Sequence, residues 1–146
     1  MEFCVISRMK AEQLCESDFG LFFMKPAVIS LYDSGEKAGK IDFSRLTDRV
    51  FYAAVPDMGF DDLADCGYTL DTFFPEAEEL ARFVKQAARD GYDFVCQCDY
   101  GESRSAAACA AIREYYLHDG IKVFADYRFC PNQVIYNKLY EALCVN

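Results

Sequence analysis

Short apolar runs alternate with segments of three-to-four apolar spacing along most of this chain. Phe3 to Ser7 is a run of the kind found in buried strands, and Arg8 to Glu16 predicts a short helix. Ala27 to Tyr32 is a second such run, closed by the turn residues Asp33-Ser34-Gly35. Strand, helix, strand is the opening of a parallel α/β arrangement. A polar, glycine-bearing stretch occupies 33–48, and a third apolar run extends from Arg49 to Val55. Pro56 stops that run, because proline has no N–H to give to a ladder. Residues 57–74 then predict a loop, longer than the roughly 12–15 residues above which structureless loops in compact domains are usually functional.

Pro75, followed by Glu76, Glu78 and Glu79, marks a helix start: proline suits the first turn and carboxylates suit its positive end. Ala77, Leu80, Ala81, Val84 and Ala88 recur at helical spacing as far as Arg89, giving one apolar face, and Asp90-Gly91 closes the helix. Tyr92 to Gln97 predicts a strand that runs into a loop at Cys98. Beyond it, the alanine-rich stretch from Ser103 to about Leu117 predicts a closely packed helix, and a last helix runs from about Asn132 to Leu143 after Pro131. With no internal repeat and no low-complexity linker, the pattern predicts one α/β domain over 1–146. It has three layers, a mostly parallel central sheet with helices on both faces.

Composition narrows the partners. A formal charge of −9 argues against nucleic acid, which is held through a basic surface and counterion release. A small phosphate ester remains a fitting ligand, since one arginine and a ring of backbone N–H groups bind an anion whatever the overall charge. No apolar run approaches the ~18 residues of a membrane span, and no basic-then-apolar leader follows Met1, so a soluble, cytoplasmic protein is expected. Eight cysteines are then read as reduced thiols rather than a disulfide framework. A monomer is expected.

The chemistry concentrates in Cys98-Asp99-Tyr100-Gly101-Glu102-Ser103-Arg104-Ser105. A loop between a strand and a helix N-terminus aims several unpaired N–H groups at one spot, and the helix dipole adds positive potential there. Backbone groups from Asp99 to Arg104 would ring a phosphate, Gly101 would let the chain turn closely about it, and the planar Arg104 fork would match two phosphate oxygens. The same field favours a thiolate, so Cys98 is the expected nucleophile for in-line attack, giving a phosphocysteine that water hydrolyses.

Cys98, five intervening residues, Arg104 and Ser105 resemble the active-site signature of the protein tyrosine phosphatases in their dual-specificity form. The longer stretch Cys96 to Ala107, with Pro131-Asn132-Gln133 downstream, is similar to small bacterial members of that superfamily. The resemblance implies a phosphatase acting on phosphotyrosine, phosphoserine or phosphothreonine in a protein, or on a small phosphoester, without metal or cofactor. It implies that the Ser105 hydroxyl eases departure of the cysteine sulfur and that Asn132 lies beside the pocket. It also implies an aspartate on the upstream loop as general acid. Asp57, directly after a strand and Pro56, is the first choice and Asp62 the second.

Two residues depart from the family pattern. Gln97 stands where many members carry histidine, and Glu102 places a carboxylate inside the phosphate loop, where it opposes an anion unless it turns to solvent. They motivate an alternative, a phosphate- or phosphopeptide-binding pseudophosphatase with little turnover. Elsewhere the simpler readings are structural: Cys96 as core packing, His118 as a surface cap of a helix end, and Glu76, Glu78 and Glu79 as a solvated helix start. Tyr68, Phe73 and Phe74 are read as either a pocket wall or anchors of the loop on the core.

Overall fold

The computed structural model describes residues 1–16, 25–35 and 39–145, so positions 36–38 of the polar 33–48 stretch lie outside it. Four strands, β1 (Phe3–Ile6), β2 (Pro26–Tyr32), β3 (Val50–Ala54) and β4 (Asp93–Gln97), form one sheet in the order β1-β4-β2-β3, with every pairing parallel. The helices are α1 (Arg8–Glu16), α2 (Ala77–Arg89), α3 (Arg104–Leu117), the single turn α4 (Ile121–Phe124) and α5 (Gln133–Val145).

Side chains alternate across the pleat and so divide the interior into two layers. Ala27, Ile29 and Leu31 of β2, Ala53 of β3 and Phe94 and Cys96 of β4 pack with the buried faces of α2, α3 and α5. On the other face Ile6, Val28 and Val95 meet Ala11 of α1 together with Ile41 and Phe43. Both faces of β2 and β4 are covered, which is why these strands read as continuous apolar runs rather than alternating ones. A buried polar pair between β2 and β4 is matched internally: Ser30 Oγ donates to Gln97 Oε1 at 2.5 Å, from positions directly opposite in the ladder.

The helix faces follow their sequence spacing with one adjustment. In α2 the fully buried set is Ala77, Leu80, Ala81, Val84 and Ala87, while Ala88 is only half-buried against the core. Helix α3 has no solvent face over its first two and a half turns: every residue from Arg104 to Ile112 is buried, and its alanines allow that close approach. His118 ends it in the left-handed region at φ 56°, exposed, as expected of a cap. Phe73 and Phe74 are buried in the main core, with Tyr68 packed edge-on to Phe73, so this aromatic group anchors the 57–74 loop. The loop contains only a short 3₁₀ turn, Phe60–Asp62, and is tied down at its end by Lys138 Nζ, which donates to the carbonyls of Leu70 and Phe73.

Candidate active site

All four strands of a parallel sheet deliver their carboxyl ends to one edge, and crevices there are where α/β sheets place their sites. Ser7 follows β1, Asp33 follows β2, Asp57 lies just beyond β3, and Cys98 follows β4 in the middle of the sheet. The 98–105 segment turns there from strand into helix. Its position is set by neighbours on both flanks. On one side Cys98 N–H donates to Ile6 O (3.3 Å) and Arg8 N–H to Asp99 O (3.0 Å); on the other Cys130 N–H donates to Glu102 O (2.8 Å) and Asn132 N–H to Ser103 O (3.1 Å).

Gly101 makes the turn at φ 69° with its backbone pressed on the β1–α1 junction: a Cβ there would stand 2.6 Å from Ser7 N and 2.7 Å from Ile6 C. No other residue fits both that dihedral and that space. Inside the turn, Cys98 is 2% exposed, and its Sγ lies 3.1 Å from Ser105 Oγ in the first turn of α3. Cys96, two residues earlier and wholly buried, is of a different kind. Its thiol is pushed well up in pKa by a hydrogen bond with Cys109 and by burial, which leaves it a neutral core group.

Arg104, only 4% exposed, is aimed by two acceptors: one Nη donates to Asp33 Oδ1 at 2.7 Å and to Val55 O at 2.9 Å. Its Nε is buried with no hydrogen-bond partner. A buried guanidinium N–H left without an acceptor costs on the order of 1–3 kcal/mol, so this geometry favours an anion in the loop that would accept from it.

The upstream aspartates separate clearly. Asp57 Oδ1 accepts from Ser103 Oγ of the loop (2.8 Å) and from Asn132 Nδ2 (2.8 Å). Asp62 instead closes its own 3₁₀ turn, its Oδ2 accepting from Gly59 N–H at 3.3 Å. Asn132 does three things at once. Its Oδ1 accepts Ile135 N–H at the start of α5, and its Nδ2 holds both Asp57 and the Met58 carbonyl (2.9 Å). The residue thus ties the aspartate loop, the 98–105 loop and the last helix together.

Asp33 is the group that sequence reasoning passed over as a turn residue; the only signal was its place directly after a buried strand. It faces Asp99 as well as Arg104. Burial raises the Asp33 carboxyl, but hydrogen bonds from Asp99 and Arg104 outweigh it and hold its pKa below the usual value. Burial, then the hydrogen bond and charge of Asp33, push the Asp99 carboxyl above the usual value. Glu102 is exposed with its backbone pinned by Cys130, which leaves its carboxylate in solvent, and Tyr100 is exposed beside it. Gln97 is spent on Ser30 in the opposite layer.

A buried cysteine at the sheet's carboxyl edge, a tight loop onto a helix N-terminus and a buried arginine thus meet in one turn. The chain is similar to human DUSP28 (TM-score 0.58, 18% identity, 98% of this chain and 92% of that one). It is also similar to Tk-PTP in its active form (0.58, 17%, 97% and 89%) and to PTPMT1 in complex with PI(5)P (0.57, 13%, 99% and 91%). At these identities the likeness is one of fold, and the fold is that of the dual-specificity and tyrosine phosphatases. No protein-family model and no curated protein matches the sequence.

Proposed function

We propose that this protein is a cysteine-dependent phosphatase that hydrolyses phosphomonoesters of tyrosine, serine or threonine side chains, or a small phosphoester, through a phosphocysteine intermediate. The observation that carries the reading is the coincidence, in one turn, of Cys98 Sγ 3.1 Å from Ser105 Oγ and the buried, unpartnered Nε of Arg104. In this mechanism the loop amides and Arg104 hold three phosphate oxygens, and the Cys98 thiolate attacks phosphorus opposite the ester oxygen. The P–O bond breaks as S–P forms, and Asp57 gives its proton to the departing oxygen. Water then attacks phosphorus and passes a proton back to Asp57. The S–P bond breaks with Ser105 hydrogen-bonded to the leaving sulfur, and inorganic phosphate is released. Asn132 and Ser103 position Asp57 for both steps.

Both reasons for expecting weak chemistry lose force in the geometry. Glu102 is exposed rather than turned onto the anion site, and Gln97 is a core residue hydrogen-bonded away from it. Among the described residues no helix is long and apolar enough to cross a membrane, and all eight cysteines are free. Those thiols support a reducing compartment, and a cytoplasmic monomer is part of the proposal. Turnover of an aryl phosphate by wild type and by Cys98→Ser tests the chemistry. Cys98-dependent release of phosphate with a trappable phosphoenzyme is expected. Phosphopeptide binding by calorimetry without any turnover would favour the pseudophosphatase reading instead.

A further inference from the structure

The mouth of the site is lined by more carboxyl groups than cations. Asp33 comes from the end of β2 and Asp99 and Glu102 from the loop itself, while Asp57, beyond β3, is the proposed acid and enters the reaction carrying its proton. Two cations at the loop already have anionic partners: Arg104 is bound by Asp33 (2.7 Å) and Arg8 by Glu12 (3.1 Å). Glu102, by contrast, pairs with no cation among the described residues. Yet the buried, unpartnered Nε of Arg104 favours an acceptor in the loop, which an anion would supply. A phosphate that meets this demand brings further negative charge into a rim that opposes it. A ligand that also brings cations beside the phosphate removes the conflict.

The surface next to the loop has room for such a cation. A groove of about 480 Å³ lies between the loop and the start of α1, lined by Ser7, Arg8, Met9, Glu12, Asp99 and Tyr100. Met9 and Tyr100 are 69% and 80% exposed, so the groove presents an apolar edge and an aromatic face with two carboxylates close by. Those are the features that take a long basic side chain, its stem on Met9, its head over the tyrosine ring and at a carboxylate. A groove of this size outside the phosphate loop suits a residue adjoining the phosphorylated one in an extended chain.

We infer that this site selects phosphopeptides whose phosphorylated side chain is flanked by lysine or arginine. One basic residue lies in the Met9–Tyr100 groove with its cation at Asp99, sharing Glu12 with Arg8, and another faces Glu102. The selection rests on the phosphatase reading above and names its substrate class. The test uses two phosphotyrosine peptides of identical core, one with arginine and lysine flanks and one with aspartate and glutamate flanks, beside a neutral aryl phosphate.

The basic peptide is expected to exceed the acidic one by roughly tenfold in kcat/KM at low salt, from several exposed charge pairs, and the gap should shrink at high salt. Cys98→Ser should bind the two peptides in the same order, so the ranking is readable without turnover. Glu12→Gln and Glu102→Gln should each narrow the ratio by a few-fold. Equal or reversed ranking, with Cys98-dependent hydrolysis of the aryl phosphate intact, overturns the selection and spares the chemistry. A ratio untouched by both substitutions, or better hydrolysis of a vesicle-borne phosphoinositide than of the basic peptide, overturns it as well. No binding of any of these probes and no aryl phosphate turnover would overturn both readings together.

Discussion

Gly101→Ala perturbs the 98–105 loop through its backbone alone. The residue sits at φ 69°, and an added methyl would lie 2.6 Å from Ser7 N, 2.7 Å from Ile6 C and 3.0 Å from Ile6 O. All three are backbone atoms of the β1–α1 junction, and the loop is held against that junction by Cys98 N–H to Ile6 O and Arg8 N–H to Asp99 O, so neither side yields by a rotamer change. The left-handed dihedral costs about 1–2 kcal/mol for a residue with a Cβ, and the overlap about 1–3 kcal/mol more, giving about 2–5 kcal/mol. For a chain of this length that is a fall in Tm of roughly 6–15 °C at about 3 °C per kcal/mol. If the loop instead flips away from the junction, part of the stability returns while the ring of amides is lost, and aryl phosphate turnover should drop by about 100-fold or more. Thermal unfolding followed by circular dichroism and steady-state turnover read the two effects separately. A variant within about 1 °C of wild type that also keeps its kcat would refute the close approach described for Gly101.

Removing the Ser105 hydroxyl should slow phosphoenzyme breakdown by roughly 10–100-fold, seen as a burst of leaving group before slow steady turnover, because one hydrogen bond to a charged sulfur is worth about 1.5–3 kcal/mol. Asp57→Asn should lower kcat by about 10²–10⁴-fold on an ester with a poor leaving group and much less on nitrophenyl phosphate; equal losses on both would remove Asp57 as the acid. Asn132→Ala should lose about 1 kcal/mol of stability by uncapping α5 and should also lower kcat through Asp57, whereas a purely structural asparagine would leave kcat unchanged.

The Asp33–Asp99 pair makes stability depend on pH in two opposing ways. Asp99, raised by burial and by Asp33, contributes stability below its ordinary carboxylate value of about 4 and loses it as pH climbs through its folded pKa. Asp33, lowered by its hydrogen bonds despite burial, contributes above the ordinary value and loses it as pH falls through its folded pKa. Asp99→Asn should therefore gain on wild type as pH rises above about 4; a constant Tm difference between the two from acid to neutral pH would rule out the raised Asp99 carboxyl.

The buried strands and long helices were legible because their signal is local and repeated. Ala27 to Tyr32 and Tyr92 to Gln97 read as interior strands, and the helix starting after Pro75 declared one apolar face, because burial on one or both sides writes itself into consecutive residues. The motif at Cys98 was legible for another reason: strand, glycine and arginine at fixed spacing reflect one loop geometry. Single turns were not. Ile121–Phe124 is too short to show a period, and the 3₁₀ turn at Phe60–Asp62 is held by a side chain of its own last residue. Asp33 was invisible as a site residue since its meaning lies 71 positions away at Arg104. Asp57 could be ranked above Asp62 from its place after β3, but what distinguishes them physically is Asn132, and that contact spans 75 positions.

The burial of α3 on every side from Arg104 to Ile112 separates what can drift from what cannot. A larger side chain anywhere on that stretch must displace the sheet or a neighbouring helix, so substitutions there will be tolerated only among small residues. Tyr100 and Glu102 stand on the same loop yet open to solvent, where replacement disturbs no packing. Libraries that randomise positions 9, 12, 100 and 102 should yield folded proteins with altered ligand preference at high frequency. The same diversity introduced at 106–111 should yield mostly aggregates. In this architecture the proposed anion site is inherited with the core, and the proposed discrimination among ligands is left to a handful of surface positions free to vary.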